Sequence, residues 1–469
     1  MQITSTTGPK IAPIIKSNSS FFSLCQIQSA IEQTNRETTK RSASSDHKKA
    51  IRKTQNITKI VSYKILISVF ISYHNMKYSY CSGASYSATE LPCPESLMIY
   101  TLSCNNLMMD KNNAVLVLED GTVVRGRGFG AKTQAEGELV FNTSMGGYQE
   151  ALTDPSYKYQ ILMMTYPLIG NYGVNDEDFE SDRIQVEGFV VRELTEKPSH
   201  SKSKKTLDEF LKEYETPGIQ GVDTRFLTRK IRIHGVMNGI LKYPYEEEEI
   251  EDLKERARNL RDISDLDLVD LVSIKRPKRY DVNGKKTVVL VDCGVKLSII
   301  KFLLDRKINV IRIPAKTSID KILEYEPNGI LISNGPGDPE KAEYVVETVK
   351  RLIFEEIPIF GICLGLQIIA LASGAKTYKL KFGHRGSNHP VKDLETGRAH
   401  ITSQNHGFAV DADSVPEEIE ISHISLNDHS VEGIRYKELP IRAVQYHPEA
   451  HPGPWYNYYI FDEFADMMK

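Results

Sequence analysis

From Ala114 onward the chain alternates apolar and polar positions with a regularity that the preceding stretch lacks. AVLVLEDGTVVRGRGFG reads as a β-hairpin, with an Asp-Gly turn at Asp120-Gly121 between two alternating runs. ELVFNTS, QILMMTYPL and VEGFVVREL read as further strands, with breaks rich in Gly, Asn, Pro and Asp between the later ones. KPSHSKSKK is a solvated loop. TLDEFLKEYE then opens a helix with Thr206 as N-cap and Glu209 three residues on, the spacing of a capping box. Asp223 is placed to cap the helix TRFLTRKIRIHG, which ends at Gly235. The acidic run Glu246 to Glu249 complements the dipole at the start of another helix, whose buried stripe is Ile250, Leu253, Ala257 and Leu260.

The turn-rich, charged segment KRPKRYDVNGKK is expected to be a linker over residues 275–286. Beyond it the grammar changes. TVVLVDCG, NVIRIPA, GILISN and IPIFGI are continuous apolar runs, separated by the amphipathic stretches SIIKFLLDR, IDKILEYE and AEYVVETVKRLIFEE, and LQIIALASG follows the last. Buried strands alternating with helices predict an α/β fold. The expectation is an open, mostly parallel sheet with helices on both faces over 287–469, preceded by a smaller mixed β/α domain over 110–274.

Residues 1–109 differ from the rest. They hold 12 Lys+Arg against 5 Asp+Glu, and four of the six cysteines: Cys25, Cys81, Cys93 and Cys104. Three readings stand for this extension. It is disordered, or included from an upstream start with Met108 or Met109 as the true beginning; it is an organellar transit segment, being basic and acid-poor; or it is a small folded module. Over the whole 469 residues the net charge is −3, which gives no bulk argument for nucleic acid or an anionic membrane as partner. No apolar run reaches the roughly 18 residues of a membrane span. The scattered cysteines lack metal-ligand spacing, so reduced thiols in a cytoplasmic setting are expected, with the organellar alternative kept open.

The candidate chemistry starts at PIFGICLGLQII. Here a buried strand turns into a helix at Cys363, with Gly361 and Gly365 flanking it where a Cβ would collide with neighbouring backbone. Gly-x-Cys-x-Gly is the thiol counterpart of the Gly-x-Ser-x-Gly nucleophile elbow. The sulfur is thereby expected at the carboxyl end of the strands and at a helix N-terminus, whose partial charge favours thiolate. The N–H of Leu364 would face a developing oxyanion. SNGPGDP, after the strand GILI, should bring Gly335 and Gly337 to the same edge. IRAVQYHPEA delivers His447 and, two residues on, Glu449: a base and the acceptor that orients it. His389 and His406, in Gly- or Asn-rich surroundings expected to be loops, are rival bases but have no such carboxylate.

GICLGLQ, GPG and HPE together resemble the class I, triad-type glutamine amidotransferases. LVLEDGTVVRGRGFG, ELVFNTSMGGYQEALTDPSY, TYPLIGNYGVN, GVDTRFLTR, FGHRGSNHPV, SQNHGFAVD and HPEAHPGP are similar to the small, glutamine-hydrolysing subunits of carbamoyl-phosphate synthases, over about three quarters of the chain. The resemblance implies Cys363 as nucleophile and His447 with Glu449 completing the triad. It implies a glutamine site of Ser144, Gly335, Gly337, Leu364, Gln367, Asn405, Gly407 and Phe408. Gln367, one helical turn after Cys363, is spaced to face the same pocket. The resemblance further implies L-glutamine as substrate and a separate large subunit that uses ATP, metal ions and bicarbonate, with ammonia passed internally between the subunits. The carbamoyl phosphate formed serves pyrimidine and arginine biosynthesis, and heterodimers can associate further. No metal or organic cofactor is expected in this chain. Two departures stand out: Leu366 where many members have histidine, expected to bear on the polarity around the thiolate, and His451 where serine is common. A free-standing γ-glutamyl thiol hydrolase and a catalytically silent scaffold subunit are the alternatives.

Overall fold

A computed structural model describes residues 113–468. The expectations for residues 1–109 therefore lie outside the described residues.

The hairpin forms where the alternation places it. β1 (Ala114–Leu118) pairs antiparallel with β2 (Val123–Gly130) across the Asp120-Gly121 turn. β3 (Gln134–Asn142), α1 (Tyr148–Thr153), β4 (Gln160–Met164), β5 (Leu168–Ile169), β6 (Gly188–Val191) and β7 (Glu193–Leu194) follow. Then come α2 (Leu207–Glu213), β8 (Pro217–Gln220), α3 (Thr224–His234), β9 (Met237–Lys242), α4 (Ile250–Arg258) and α5 (Leu268–Val272). Seven strands close a barrel in the order β1-β2-β8-β6-β4-β3-β9, and β5 pairs with β7 beside it. Leu116, Leu139, Ile161, Val190, Ile219 and Leu241, from six of these strands, belong to one buried cluster. The capping box at Thr206 is made in both directions with Glu209, a device worth about 1 kcal/mol. Asp223 accepts from the Phe226 N–H to start α3, and Gly235 ends it. The acidic run makes a short 3-10 turn, Glu247–Glu249, and α4 follows with Ile250, Leu253 and Ala257 packed on β1 and β9.

The second half comprises β10 (Lys278–Tyr280), β11 (Lys286–Asp292), α6 (Leu297–Asp305), β12 (Ile308–Pro314), α7 (Ile319–Leu323), β13 (Gly329–Ile332), α8 (Glu343–Leu352), β14 (Ile359–Ile362) and α9 (Leu364–Ala372). β15 (Thr377–Asp393), β16 (Ala399–Val410), β17 (Ile419–Ser425), β18 (Val431–Tyr436), β19 (Ile441–Val444) and α10 (Tyr459–Met467) complete it. One ten-stranded sheet runs β10-β12-β11-β13-β14-β19-β18-β17-β15-β16. β12, β11, β13, β14 and β19 are mutually parallel. Their alternate residues feed two cores. Val289, Val291, Ile330, Ile332 and Ile359 pack with α8 and α9, while Val288, Leu290, Leu331 and Phe360 pack with α6 and α10. Both faces are covered, as continuous apolar strands require.

Two features go beyond the pattern. The sheet extends on one side through the antiparallel strands β18, β17, β15 and β16, so residues 377–410, polar and glycine-rich, are a long strand pair. His389 and His406 therefore stand in strands and not in loops. Within 275–286, read as linker, Lys278–Tyr280 is an edge strand antiparallel to β12, and Lys286 already belongs to β11.

Candidate functional site

The corner at Cys363 is enforced by backbone contact. A Cβ on Gly365 would stand 2.1 Å from the Ile332 carbonyl oxygen, and one on Gly361 would stand 2.8 Å from the Gly365 backbone. Helix α9 can therefore approach β13 and β14 this closely only with hydrogen at both positions. Cys363 caps α9 with φ 55° and ψ −104°, a positive-φ conformation rare for a side-chain-bearing residue. Its sulfur is 3.5 Å from the Asn405 carbonyl, and the Gln445 amide donates to it at 3.6 Å. As a first-turn residue, Leu364 has an N–H without an intrahelical acceptor.

The base arrives on the neighbouring strand. His447 follows β19 and is held by its N–H to the Ser403 carbonyl at 2.9 Å. Its Nδ1 meets Glu449 Oε1 at 2.6 Å, while its Nε2 is buried with no partner among the described residues. Burial alone would push His447 down. The Glu449 carboxylate, and then the Cys363 sulfur, outweigh burial and hold it up to about 10. Glu449, pushed up by burial, is carried down to about 2 by Lys296 and His447. Base and orienting acid thus form one hydrogen-bonded pair, and Nε2 is the atom left to exchange a proton.

Gly335, Gly337, Gln367, Asn405, Gly407 and Phe408 line one cleft with Cys363. Gln367 does not reach into it freely: its amide donates to the Phe408 carbonyl at 2.8 Å and to Gln445 Oε1 at 3.0 Å. It sets the Gln445 amide against the sulfur. Asn405 is held from the other domain, its Nδ2 donating to Asp154 Oδ2 at 2.8 Å. Ser144 lines the adjacent cavity, with His447 and with Asn405, which borders both, and shares a 2.9 Å hydrogen bond with Ser387.

Family models match the chain in two blocks: the carbamoyl-phosphate synthase small chain, CPSase domain, over residues 116–241, and class-I glutamine amidotransferase over residues 289–467. The carbamoyl phosphate synthase small chain of Archaeoglobus fulgidus is 56% identical over 356 residues, 76% of this chain and 99% of that one. That of Methanocaldococcus jannaschii is 58% identical over 357 residues, 76% and 98%. That of Aquifex aeolicus is 50% identical over 370 residues, 76% and 100%. This chain belongs to the carbamoyl-phosphate synthase small chain family.

In this family member the departure at Leu366 has a structural reading. Leu366 is fully buried in the core beneath α9 and is not among the residues that line the cleft with Cys363. His451 lines the cavity behind His447, 4.0 Å from Glu180 Oε1.

The sequence reading did not pick out Lys296, Glu180, Asp154 or Gln445. Lys296 is 3% exposed, and its ammonium lies 3.0 Å from Glu449 Oε1 and 3.8 Å from Glu180 Oε1. It donates to the carbonyls of Ala450 at 2.9 Å and His451 at 3.3 Å. These carboxylates outweigh burial and hold its pKa above the ordinary lysine value. Glu180, from the N-terminal half, is pushed up to about 7 by burial against the pull of Lys296. A buried lysine has no sequence signature, whereas Gln445 and His447 share an alternation step in AVQYH that could have flagged the glutamine.

Proposed function

We propose that the chain is the glutaminase subunit of a glutamine-hydrolysing carbamoyl-phosphate synthase, with Cys363 as nucleophile, His447 as proton carrier and Glu449 as its orienting acid. The observations that carry this are Cys363 at the N-cap of α9, in one cleft with Gly335, Gly337 and Gln367, and a buried His447 whose Nδ1 is held by Glu449 and whose Nε2 has no partner among the described residues. L-Glutamine enters the cleft with its side-chain amide at the sulfur. Cys363, its proton taken by His447, attacks the amide carbon. The N–H groups of Leu364 and Gly337 receive the oxyanion, each such donor being worth roughly 2.7–4 kcal/mol. His447 returns the proton to nitrogen as the C–N bond breaks, and ammonia leaves. Water, deprotonated by His447, then cleaves the γ-glutamyl thioester to glutamate and restores the thiol.

This half-reaction calls on no cofactor of this chain. Carbamoyl phosphate itself requires a large chain that holds ATP and its metal ions and receives the ammonia. The barrel domain is the surface we assign to that docking, and pyrimidine and arginine synthesis are the outlets we assign to the product on family membership alone. Heterodimers of the two chains are the unit that any larger assembly would repeat.

The test uses the reconstituted two-chain complex with Cys363→Ser. Synthesis from glutamine should vanish while synthesis from added ammonia persists. Glutamine-dependent synthesis at the wild-type rate would overturn the assignment.

A further inference from the structure

Beside Asn405, Gly407 and Phe408 in the cleft wall, three buried side chains converge, one of which, His406, also lines the cleft. They are His384 on β15, His406 on β16 and Glu432 on β18. One ligand atom from each of the three lies within 4.8 Å of the other two. Glu432 Oε1 is 3.6 Å from His384 Nδ1 and 4.0 Å from His406 Nε2. Each residue is 6% exposed or less, and these three inward atoms have no hydrogen-bond partner among the described residues.

The outward atom of each group is tied down. His406 Nδ1 meets the Phe408 carbonyl at 2.7 Å, and a carbonyl only accepts, so Nδ1 carries the proton. His384 Nε2 meets Asp428 Oδ2 at 2.9 Å, which places its proton outward as well. Glu432 Oε2 accepts from the Gln404 amide at 2.7 Å. With His384 in that neutral form, two lone pairs and a carboxylate oxygen face one another away from water; Asp428 and Glu432 outweigh burial and hold His384 up to about 9, so a proton on Nδ1 is the cation's competitor for this space. Separations of 3.6 and 4.0 Å are too long for these atoms to satisfy one another by hydrogen bonds. Orphaned buried acceptors are costly and call for an occupant. Histidines whose far nitrogen donates to a carbonyl or carboxylate, with the near nitrogen free, are the arrangement that metal sites use to orient their ligands.

We propose that His384, His406 and Glu432 bind a divalent cation of the zinc class. Two imidazoles and a carboxylate suit a borderline-soft metal, and Asp428 and Glu432 supply negative charge to set against it. Bonds of about 2.0–2.2 Å would draw the three atoms inward by some tenths of an ångström. The role is structural. Phe408 O accepts from both His406 and Gln367, and the Gln445 N–H donates to Glu432 O at 2.9 Å, so the metal would stiffen the wall that faces Cys363. This last consequence rests on the glutaminase reading; the metal uptake does not.

The experiment takes the full chain, stripped with a chelator, and titrates it with Zn2+ and separately with Co2+. Bound metal, the visible ligand-field absorption of Co2+ and the thermal midpoint are read for the wild type, Glu432→Gln and His384→Gln. The wild type should take up one equivalent that raises the midpoint, with Co2+ bands free of thiolate charge transfer. Each variant should lose at least about tenfold in affinity for that equivalent. Wild-type uptake no greater than that of the variants, or Co2+ bands carrying thiolate character alone, would overturn the site and leave a protonated His384 paired with Glu432 as the occupant. If a variant fails to fold, stoichiometry and the wild-type Co2+ spectrum decide on their own.

Discussion

Lys296 lies 3.0 Å from Glu449 Oε1, the same oxygen that holds His447 Nδ1 at 2.6 Å. Two cationic groups thus share one buried carboxylate oxygen, and the lysine comes from the turn that starts α6 while the histidine comes from the end of β19. Removing one partner of a buried pair leaves an uncompensated charge, at about 3–5 kcal/mol. Lys296→Met should lower stability by that order in chemical denaturation and reduce glutamine hydrolysis, because Glu449 then ionises less readily and orients His447 less firmly. Unchanged stability and rate would remove Lys296 from the account.

The same group sets a pH dependence. His447 is held up to about 10 from 6.5, so its stabilising contribution is complete below pH 6.5 and is lost as pH rises through about 10. Glu449 is held down to about 2 from 4.5, so its contribution is complete above pH 4.5 and is lost as pH falls through about 2. Between pH 6.5 and about 10 the thermal midpoint of the wild type should fall more steeply than that of His447→Gln. Parallel curves would contradict the raised imidazolium.

At the elbow, Gly365→Ala places a methyl 2.1 Å from the Ile332 carbonyl oxygen, which is backbone and cannot rotate away. α9 must shift off β13, at about 1–3 kcal/mol, the usual scale of overpacking. Glutaminase activity should fall with it, because Cys363 and the Leu364 N–H ride on that helix. A variant with the wild-type midpoint and rate would show that the close approach is not required.

The Asp154–Asn405 bond crosses from the barrel domain to the cleft wall. Hydrogen bonds to charged groups contribute about 1.5–3 kcal/mol. Asp154→Ala should therefore raise KM for glutamine roughly tenfold or more, with ammonia-dependent synthesis by the complex unchanged. An unaltered KM would mean that Asn405 needs no support from the other domain.

Much of this was legible in the sequence because local rules and tertiary structure agree. The Asp120-Gly121 hairpin, the Thr206–Glu209 capping box and the Gly361–Cys363–Gly365 corner each encode their geometry within a few residues. The antiparallel extension was not legible. In FGHRGSNHPV the buried residues are Gly383, His384, Arg385, Gly386 and Val391, so burial follows hydrophobicity only at the last of them, and register shifts break the alternation. Lys296, Glu180 and Asp154 were missed for a different reason: each gains its meaning from a partner more than a hundred residues away. Ser144, placed with the glutamine site by resemblance, lines the cavity that also holds His447 and Asn405.

The central claim is a covalent bond between Cys363 and the γ-carbonyl of glutamine, and acid quenching during turnover of isotope-labelled glutamine reads it directly. Peptide mapping should find label on the peptide that contains Cys363 and none in Cys363→Ser. Turnover with no label on that peptide, or Cys363→Ser hydrolysing glutamine at the wild-type rate, would contradict it.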